Sequence, residues 1–131
     1  MKVKCLATNL TAQQKTVLGL MDNQDPQYPY IVGQTYTVLA ISSKIGVNAG
    51  TLLQLQKIPM DYIISVPLCI FEIVDNRPSQ YWKIQKRSEY EISLWPEEFY
   101  QEYFHDDLSD GVPEVVEIYK RVVERLEKEF D

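Results

Sequence analysis

The chain has 131 residues, of which 45% are hydrophobic and 24% are charged, and its formal net charge is −6. These fractions are typical of a folded soluble protein and disfavour a disordered chain, and this length predicts one domain over residues 1–131. The acidic balance disfavours nucleic-acid binding, which requires a basic surface, and no apolar run is long enough to predict a membrane span. We therefore expect a cytoplasmic protein that binds neither nucleic acid nor membrane.

The N-terminal quarter predicts one strand followed by a long loop. Residues 2–7 (KVKCLA) alternate in a pattern typical of an edge strand with exposed lysines. Between residues 8 and 32 two prolines interrupt any regular element, so we expect a loop with room for one helical turn. Cys5 and Cys69 both lie in hydrophobic surroundings, which predicts two buried free thiols.

The middle of the chain predicts two hairpins. Residues 35–42 (TYTVLAIS) and 51–58 (TLLQLQKI) favour strands and flank a turn rich in Gly and Asn. Residues 68–74 (LCIFEIV) form an apolar run that predicts a central, largely buried strand. After a turn at residues 75–78, YWKIQ at residues 81–85 predicts the returning strand of the second hairpin.

The C-terminal end predicts two helices. Pro96 begins the first, PEEFYQEYF, in which Phe99 and Tyr103 share one face at a spacing of four. Residues 105–111 (HDDLSDG) predict a loop, where Asp110 would cap the next helix. From Pro113 an apolar stripe with a period of 3.6 predicts a longer amphipathic helix. The stripe consists of Val115, Ile118, Tyr119, Val122, Leu126 and Phe130.

Strands first and helices last predict an α+β fold. We expect a small antiparallel sheet or partly open barrel of about five strands, followed by the short helix and the C-terminal amphipathic helix.

Residues 66–84 (VPLCIFEIVDNRPSQYWKI) resemble a recurrent element of small, mostly uncharacterised bacterial proteins. That element begins with a proline and an apolar strand that ends in FEIVD. A turn and a strand containing YW follow. The preceding VGQTYTVLAIS resembles the usual second strand of these proteins. The resemblance implies a small β-rich cytosolic protein similar to the immunity proteins of bacterial toxin systems, and it implies no catalytic residue.

The strongest functional signal is the run from residue 88 to residue 119, called here the acidic segment, which contains ten carboxylates and no Lys or Arg. The rest of the chain is net basic, so the acidic segment creates a local negative field that can steer a basic protein partner. Aromatic residues within it could anchor that partner. The residues expected to bind the partner are Glu97, Glu98, Tyr100, Glu102, Tyr103, Asp106, Asp107 and Asp110.

Catalytic and metal-binding signals are weak by comparison. The sequence has no GxSxG, P-loop or dinucleotide fingerprint. The single histidine, His105, lies beside Asp106 and Asp107, but a metal site needs three or four converging ligands. We therefore predict no catalytic residue, no metal and no cofactor. A hydrolase that uses Glu98, Glu102 or Asp106 as acid or base is a minor alternative.

The sequence thus favours a non-catalytic acidic binding protein, an inhibitor or immunity protein that neutralises a basic toxin, nuclease or defence effector. The alternative is a small-molecule or peptide binding module, with its site under the loop of residues 8–32. Four aromatic residues would line that site: Tyr28, Tyr30, Tyr36 and Trp82.

Overall fold

The computed structural model describes residues 1–46 and 49–131, which form eight strands and three α-helices. The strands are β1 (Lys2–Cys5), β2 (Thr35–Thr37), β3 (Ala40–Lys44), β4 (Gly50–Gln56), β5 (Ile63–Pro67), β6 (Phe71–Asp75), β7 (Trp82–Ser88) and β8 (Glu91–Pro96). The helices are α1 (Ala12–Val17), α2 (Phe104–Ser109) and α3 (Pro113–Lys128). Two 3-10 turns, Leu68–Ile70 and Glu97–Tyr100, follow β5 and β8.

The strands form two open antiparallel sheets, a smaller one with the order β2-β1-β6 and a larger one with the order β5-β4-β3-β8-β7. The predicted α+β fold is therefore confirmed. The larger sheet has the expected five strands, whereas three further strands form a sheet of their own. Strands β3 and β4 pair as the first predicted hairpin requires. Residues 47 and 48 of its predicted turn lie outside the described residues.

Strand β1 lies at the centre of the smaller sheet, so the prediction of an edge strand is wrong. It pairs with β2 on one side and with β6 on the other. Val3 and Cys5 are 0% and 1% exposed because they project into the core between the sheets. Two buried apolar side chains on one face are enough to fix a short strand in place, and lysines on its other face do not by themselves mark an edge.

Strand β6 is an edge strand in which Glu72, Ile73 and Val74 are exposed, so the prediction of a central, buried strand is also wrong. It does not form the expected second hairpin, because β6 pairs with β1 whereas β7 pairs with β8. A run of apolar residues predicts a strand but does not specify its neighbour. Just before β6, Cys69 is exposed, so of the two free thiols only Cys5 is buried.

Two hydrophobic cores lie on either side of the larger sheet. The first fills the space between the sheets, and its buried members include Val3, Tyr30, Leu53, Leu55, Val66, Phe71 and Trp82. The second lies between the larger sheet and the helices, and its buried members include Leu39, Ala40, Phe99, Phe104, Tyr119, Val122 and Leu126. This second core supports the acidic segment from beneath.

The helix expected from Pro96 is replaced by a 3-10 turn at Glu97–Tyr100, and the expected loop after it contains α2. Phe99 and Phe104 are both buried, and their rings stack at a centroid distance of 5.0 Å. In one continuous helix, side chains five residues apart would point roughly 140° away from each other. The chain therefore turns between them, and Tyr103 adopts the left-handed conformation with φ 63°.

The C-terminal amphipathic helix is confirmed as α3, with Pro113 in its first turn. Its apolar stripe is buried at Tyr119, Val122 and Leu126, because this face packs on the larger sheet. Val112 occupies the N-cap, so the prediction that Asp110 caps this helix is wrong; Asp110 ends α2 instead. Among the described residues, no helix is long and apolar enough to cross a membrane.

Candidate binding surface on the acidic segment

Two stacked aromatic rings form the platform of the candidate surface. Trp95 on β8 and Tyr100 in the 3-10 turn stack at a centroid distance of 4.9 Å and an interplanar angle of 19°. The Tyr100 hydroxyl donates to the Lys83 carbonyl oxygen at 2.6 Å and lies 2.8 Å from Ser93 Oγ. The indole Nε1 of Trp95 donates to Ser42 Oγ at 3.1 Å. Tyr100, a predicted partner-binding residue, is therefore half-buried and fixed by internal hydrogen bonds.

His105 lies beneath this platform. Its ring centroid is 5.1 Å from that of Trp95, 5.5 Å from that of Phe99 and 5.7 Å from that of Phe104. Its Nε2–H donates to the Oε1 of Gln54, a side chain on β4 that is 5% exposed. The histidine thus joins α2 to the larger sheet, a packing role that its position beside Asp106 and Asp107 did not reveal.

A concavity of about 260 Å³ opens above these rings, and we call it the aromatic hollow. Its floor is formed by the side chains of Trp95, Phe99, Tyr100, Phe104 and His105. Its rim carries the exposed residues Glu102, Tyr103 and Asp106 and Arg87 of β7. The guanidinium of Arg87 lies 4.6 Å from the Trp95 ring centroid. The hollow therefore combines an aromatic floor with carboxylates and a cation at its edge.

The exposed members of the predicted set are Glu97, Glu102, Tyr103, Asp106 and Asp110. Tyr103 is 65% exposed and is held outward by its left-handed backbone conformation, which is uncommon for a residue other than glycine. A large aromatic side chain thus stands in solvent beside two carboxylates of the hollow rim, whereas Asp107 is half-buried.

Glu98 is committed to an internal ion pair. Its two carboxylate oxygens accept from Arg125 Nη1 and Nη2 of α3 at 2.9 Å and 3.1 Å. Burial alone would raise the pKa of Glu98, but the hydrogen bonds and the charge of Arg125 outweigh it and hold the pKa below its ordinary value. Glu98 therefore fastens the 3-10 turn to α3 and is not free to bind a partner. The minor hydrolase alternative loses one of its three carboxylates for the same reason.

A pair of adjoining clefts lies beside α1, in the region of the alternative site. Their volumes are about 260 Å³ and 370 Å³, and both are lined by Leu18, Gly50 and Pro67. Their surfaces are mainly apolar, with Lys44 and Glu91 at one end. These clefts could accept a small apolar group.

The aromatic residues expected in the alternative site are mostly used elsewhere. Tyr28 lines one of the clefts. Tyr30 and Trp82 are 5% and 9% exposed and belong to the core between the sheets. The hydroxyl oxygen of Tyr36 accepts from the backbone N–H of Ile31 and so fixes the loop locally. The site predicted to be lined by four aromatic residues thus contains one of them.

Sequence reasoning did not bring Arg87 and Trp95 together, because β8 was not predicted. Residues 91–96 (EISLWP) carry the missing signal, since Ile92 and Leu94 alternate with Ser93 and Trp95 as expected for a strand. Pairing this strand with β7 places Lys83 opposite Trp95, and the Arg87 side chain reaches the Trp95 ring from further along β7.

The fold makes the stability of the protein depend on the protonation of His105. Burial lowers the pKa of His105 below its ordinary value, Asp106 opposes this shift and Arg87 adds to it. The neutral ring therefore stabilises the fold fully above about pH 6.5, and this contribution is lost as the pH falls through the lower pKa of the folded state.

We expect wild type to lose more of its unfolding free energy than His105→Gln between pH 7.5 and pH 5. The glutamine amide can still donate to Gln54 but does not titrate. Urea unfolding at both pH values measures the difference. Since His105 is the single histidine, equal losses in the two proteins would contradict this assignment.

Comparison with known proteins gave no match: no family model fits the sequence, and no curated protein or solved structure is significantly similar to it. Function must therefore be inferred from the residues and their geometry.

Proposed function

We propose that the chain is a non-catalytic binding protein that engages a basic protein partner through the exposed part of the acidic segment. An inhibitor or immunity protein that neutralises a basic toxin, nuclease or defence effector fits this description. This is the class that residues 66–84 led us to expect from the sequence.

One observation carries the proposal: the acidic segment exposes carboxylates that have no ion-pair partner within the described residues, and two of them, Glu102 and Asp106, line the aromatic hollow together with the exposed Tyr103. Among the described residues, no Lys or Arg nitrogen lies within 4.0 Å of the carboxylates of Glu97, Glu102, Asp106 or Asp110. Their charge is therefore available to a partner, and it raises the association rate of a basic surface. Tyr103 supplies the aromatic anchor that protein interfaces favour.

A second candidate function, binding of a small molecule or peptide, is favoured by the clefts beside α1. We rank it below the first because three of its four expected aromatic residues lie outside these clefts. The acidic surface, in contrast, retains most of its expected residues in exposed positions.

The proposed function is tested by removing four charges at the surface. The test variant carries Glu97→Gln, Glu102→Gln, Asp106→Asn and Asp110→Asn. Binding to a panel of purified basic nuclease toxins is measured by surface plasmon resonance at several salt concentrations. We expect the association rate to fall roughly 10-fold or more at low salt, because the variant lacks the negative field that attracts a basic partner. The salt dependence should become weaker.

A matched control removes the same number and type of charges elsewhere. It carries Asp22→Asn, Glu72→Gln, Glu127→Gln and Asp131→Asn, all at exposed positions. We expect it to bind nearly as fast as wild type. If the control loses as much as the test variant, net charge and not this surface drives binding. Failure of every basic nuclease to bind wild type would also contradict the proposal.

A further inference from the structure

We propose that the aromatic hollow binds an arginine side chain of the partner and that Arg87 occupies this place in the free protein. The inference rests on the proposed function, since it names the group that the acidic surface recognises. The guanidinium carbon of Arg87 already lies 4.6 Å from the Trp95 ring centroid and 5.8 Å from that of Tyr100. The hollow thus already contacts a guanidinium, the group that we expect a partner to supply.

The composition of the hollow suits a cation. Aromatic ring faces carry a negative quadrupole, and Trp is the best platform for a guanidinium or ammonium group. Glu102 and Asp106 on the rim add two formal negative charges, and Tyr103 can cover the aliphatic part of a long side chain. A partner side chain entering from solvent would therefore meet ring faces below and carboxylates at its edge.

A ring face held in a fixed orientation favours arginine over lysine. Trp95 stacks on Tyr100 at 19° from parallel, and a planar guanidinium can stack on the Trp95 face over which Arg87 already lies. Its five N–H donors also suit the carboxylates of Glu102 and Asp106, which line the same hollow. A lysine ammonium is a strongly hydrated point charge and gains less from the same rings.

Arg87 is held more weakly than two other arginines that lie over aromatic rings. Arg77 is also paired with Asp75, and Arg125 is also paired with Glu98. Among the described residues, no carboxylate lies within 4.0 Å of an Arg87 nitrogen. Its side chain is therefore held by the ring faces and can be displaced by a competing guanidinium.

The backbone of β7 directs Arg87 towards the hollow. Lys86 pairs with Ile92 and Ser88 with Glu91, so the register of β7 shifts by one residue and Arg87 lies at a bulge. Bulges re-aim a side chain relative to regular alternation and are frequent next to functional sites. Arg87 is exposed and closes one side of the hollow. Arg87 therefore competes with the partner's arginine for the same ring face in the aromatic hollow.

The experiment compares Arg87→Ala with Lys86→Ala. Both variants lose one positive charge from adjacent exposed positions, but only Arg87 lines the hollow. The probes are fluorescein-labelled nona-arginine and nona-lysine peptides, and binding is measured by fluorescence anisotropy. We expect Arg87→Ala to bind nona-arginine about 2- to 5-fold more tightly than Lys86→Ala does, the range that an exposed cation–π contact implies. The gain for nona-lysine should be smaller.

The outcomes separate this inference from the function on which it rests. If Arg87→Ala and Lys86→Ala bind both peptides equally, the inference is wrong, because only charge matters. The proposed function would still stand in that case, provided that the four-amide variant loses affinity for nona-arginine. If the four-amide variant binds as well as wild type, both the inference and the proposed function are wrong. Thermal unfolding of the two alanine variants verifies that each remains folded.

Discussion

Replacing Phe99 with alanine should lower the free energy of unfolding by about 3–5 kcal/mol, the cost of removing a buried phenylalanine from a core. Phe99 is 1% exposed and stacks on Phe104, and its edge meets the ring of His105. No other side chain of the 3-10 turn is buried so deeply. A loss of this size is a large part of the stability of a typical domain. Urea unfolding followed by circular dichroism measures it.

The matched control is Tyr103→Ala, four residues further along the chain. The sequence predicts that Phe99 and Tyr103 share one helical face, whereas Tyr103 is 65% exposed. The alanine substitution removes a side chain that lies in solvent and not in the core. It should therefore change the free energy of unfolding by no more than about 0.5 kcal/mol. Similar losses in the two variants would contradict the difference in burial between Phe99 and Tyr103. Phe99→Leu, which keeps more of the buried volume, should cost less than Phe99→Ala.

The elements predicted best are those in which local periodicity and burial agree. Helix α3 has an apolar stripe that repeats every 3.6 residues, and this stripe packs on one sheet. The local pattern therefore predicts both the helix and the face that it buries. The order of strands is different, because β1 lies between β2 and β6 through contacts with distant parts of the chain. Apolar patterns specify which face is buried, but they do not specify which strand lies next to it.

In the candidate site, too, local sequence patterns do not specify which distant residues become neighbours. The negative charge of the acidic segment is visible in composition alone, and Glu97, Glu102, Asp106 and Asp110 are exposed as a charged surface requires. Glu98 is withdrawn from the surface by its ion pair with Arg125, a residue 27 positions later in the chain, whereas its neighbour Glu97 is exposed. Arg87 reaches the aromatic hollow through a bulge and an unpredicted strand. Tertiary pairing therefore decides which charges are available to a partner.

Replacing Glu98 with glutamine should lower the free energy of unfolding by about 1–3 kcal/mol, because it removes the counter-charge of the partly buried Arg125 guanidinium and one of its two acceptor oxygens. The Arg125 guanidinium would then lie over the Tyr81 ring without the carboxylate that neutralises it. The Nε of Arg125 already has no hydrogen-bond partner among the described residues. Glu97→Gln is the matched control. Glu97 is the exposed neighbour in the same turn, so we expect a change within about 0.5 kcal/mol. Urea unfolding at pH 7 compares the three proteins.

The pH dependence of this difference tests its origin. Since the pKa of Glu98 is lower in the folded state than its ordinary value of about 4.3, its ionised form stabilises the fold above that pH. The stabilisation is lost as the pH falls through the folded pKa, when the carboxylate takes up a proton. The gap between wild type and Glu98→Gln should therefore narrow from pH 6 to pH 3. A gap that stayed constant would show that packing, and not the ion pair with Arg125, holds the acidic segment against α3.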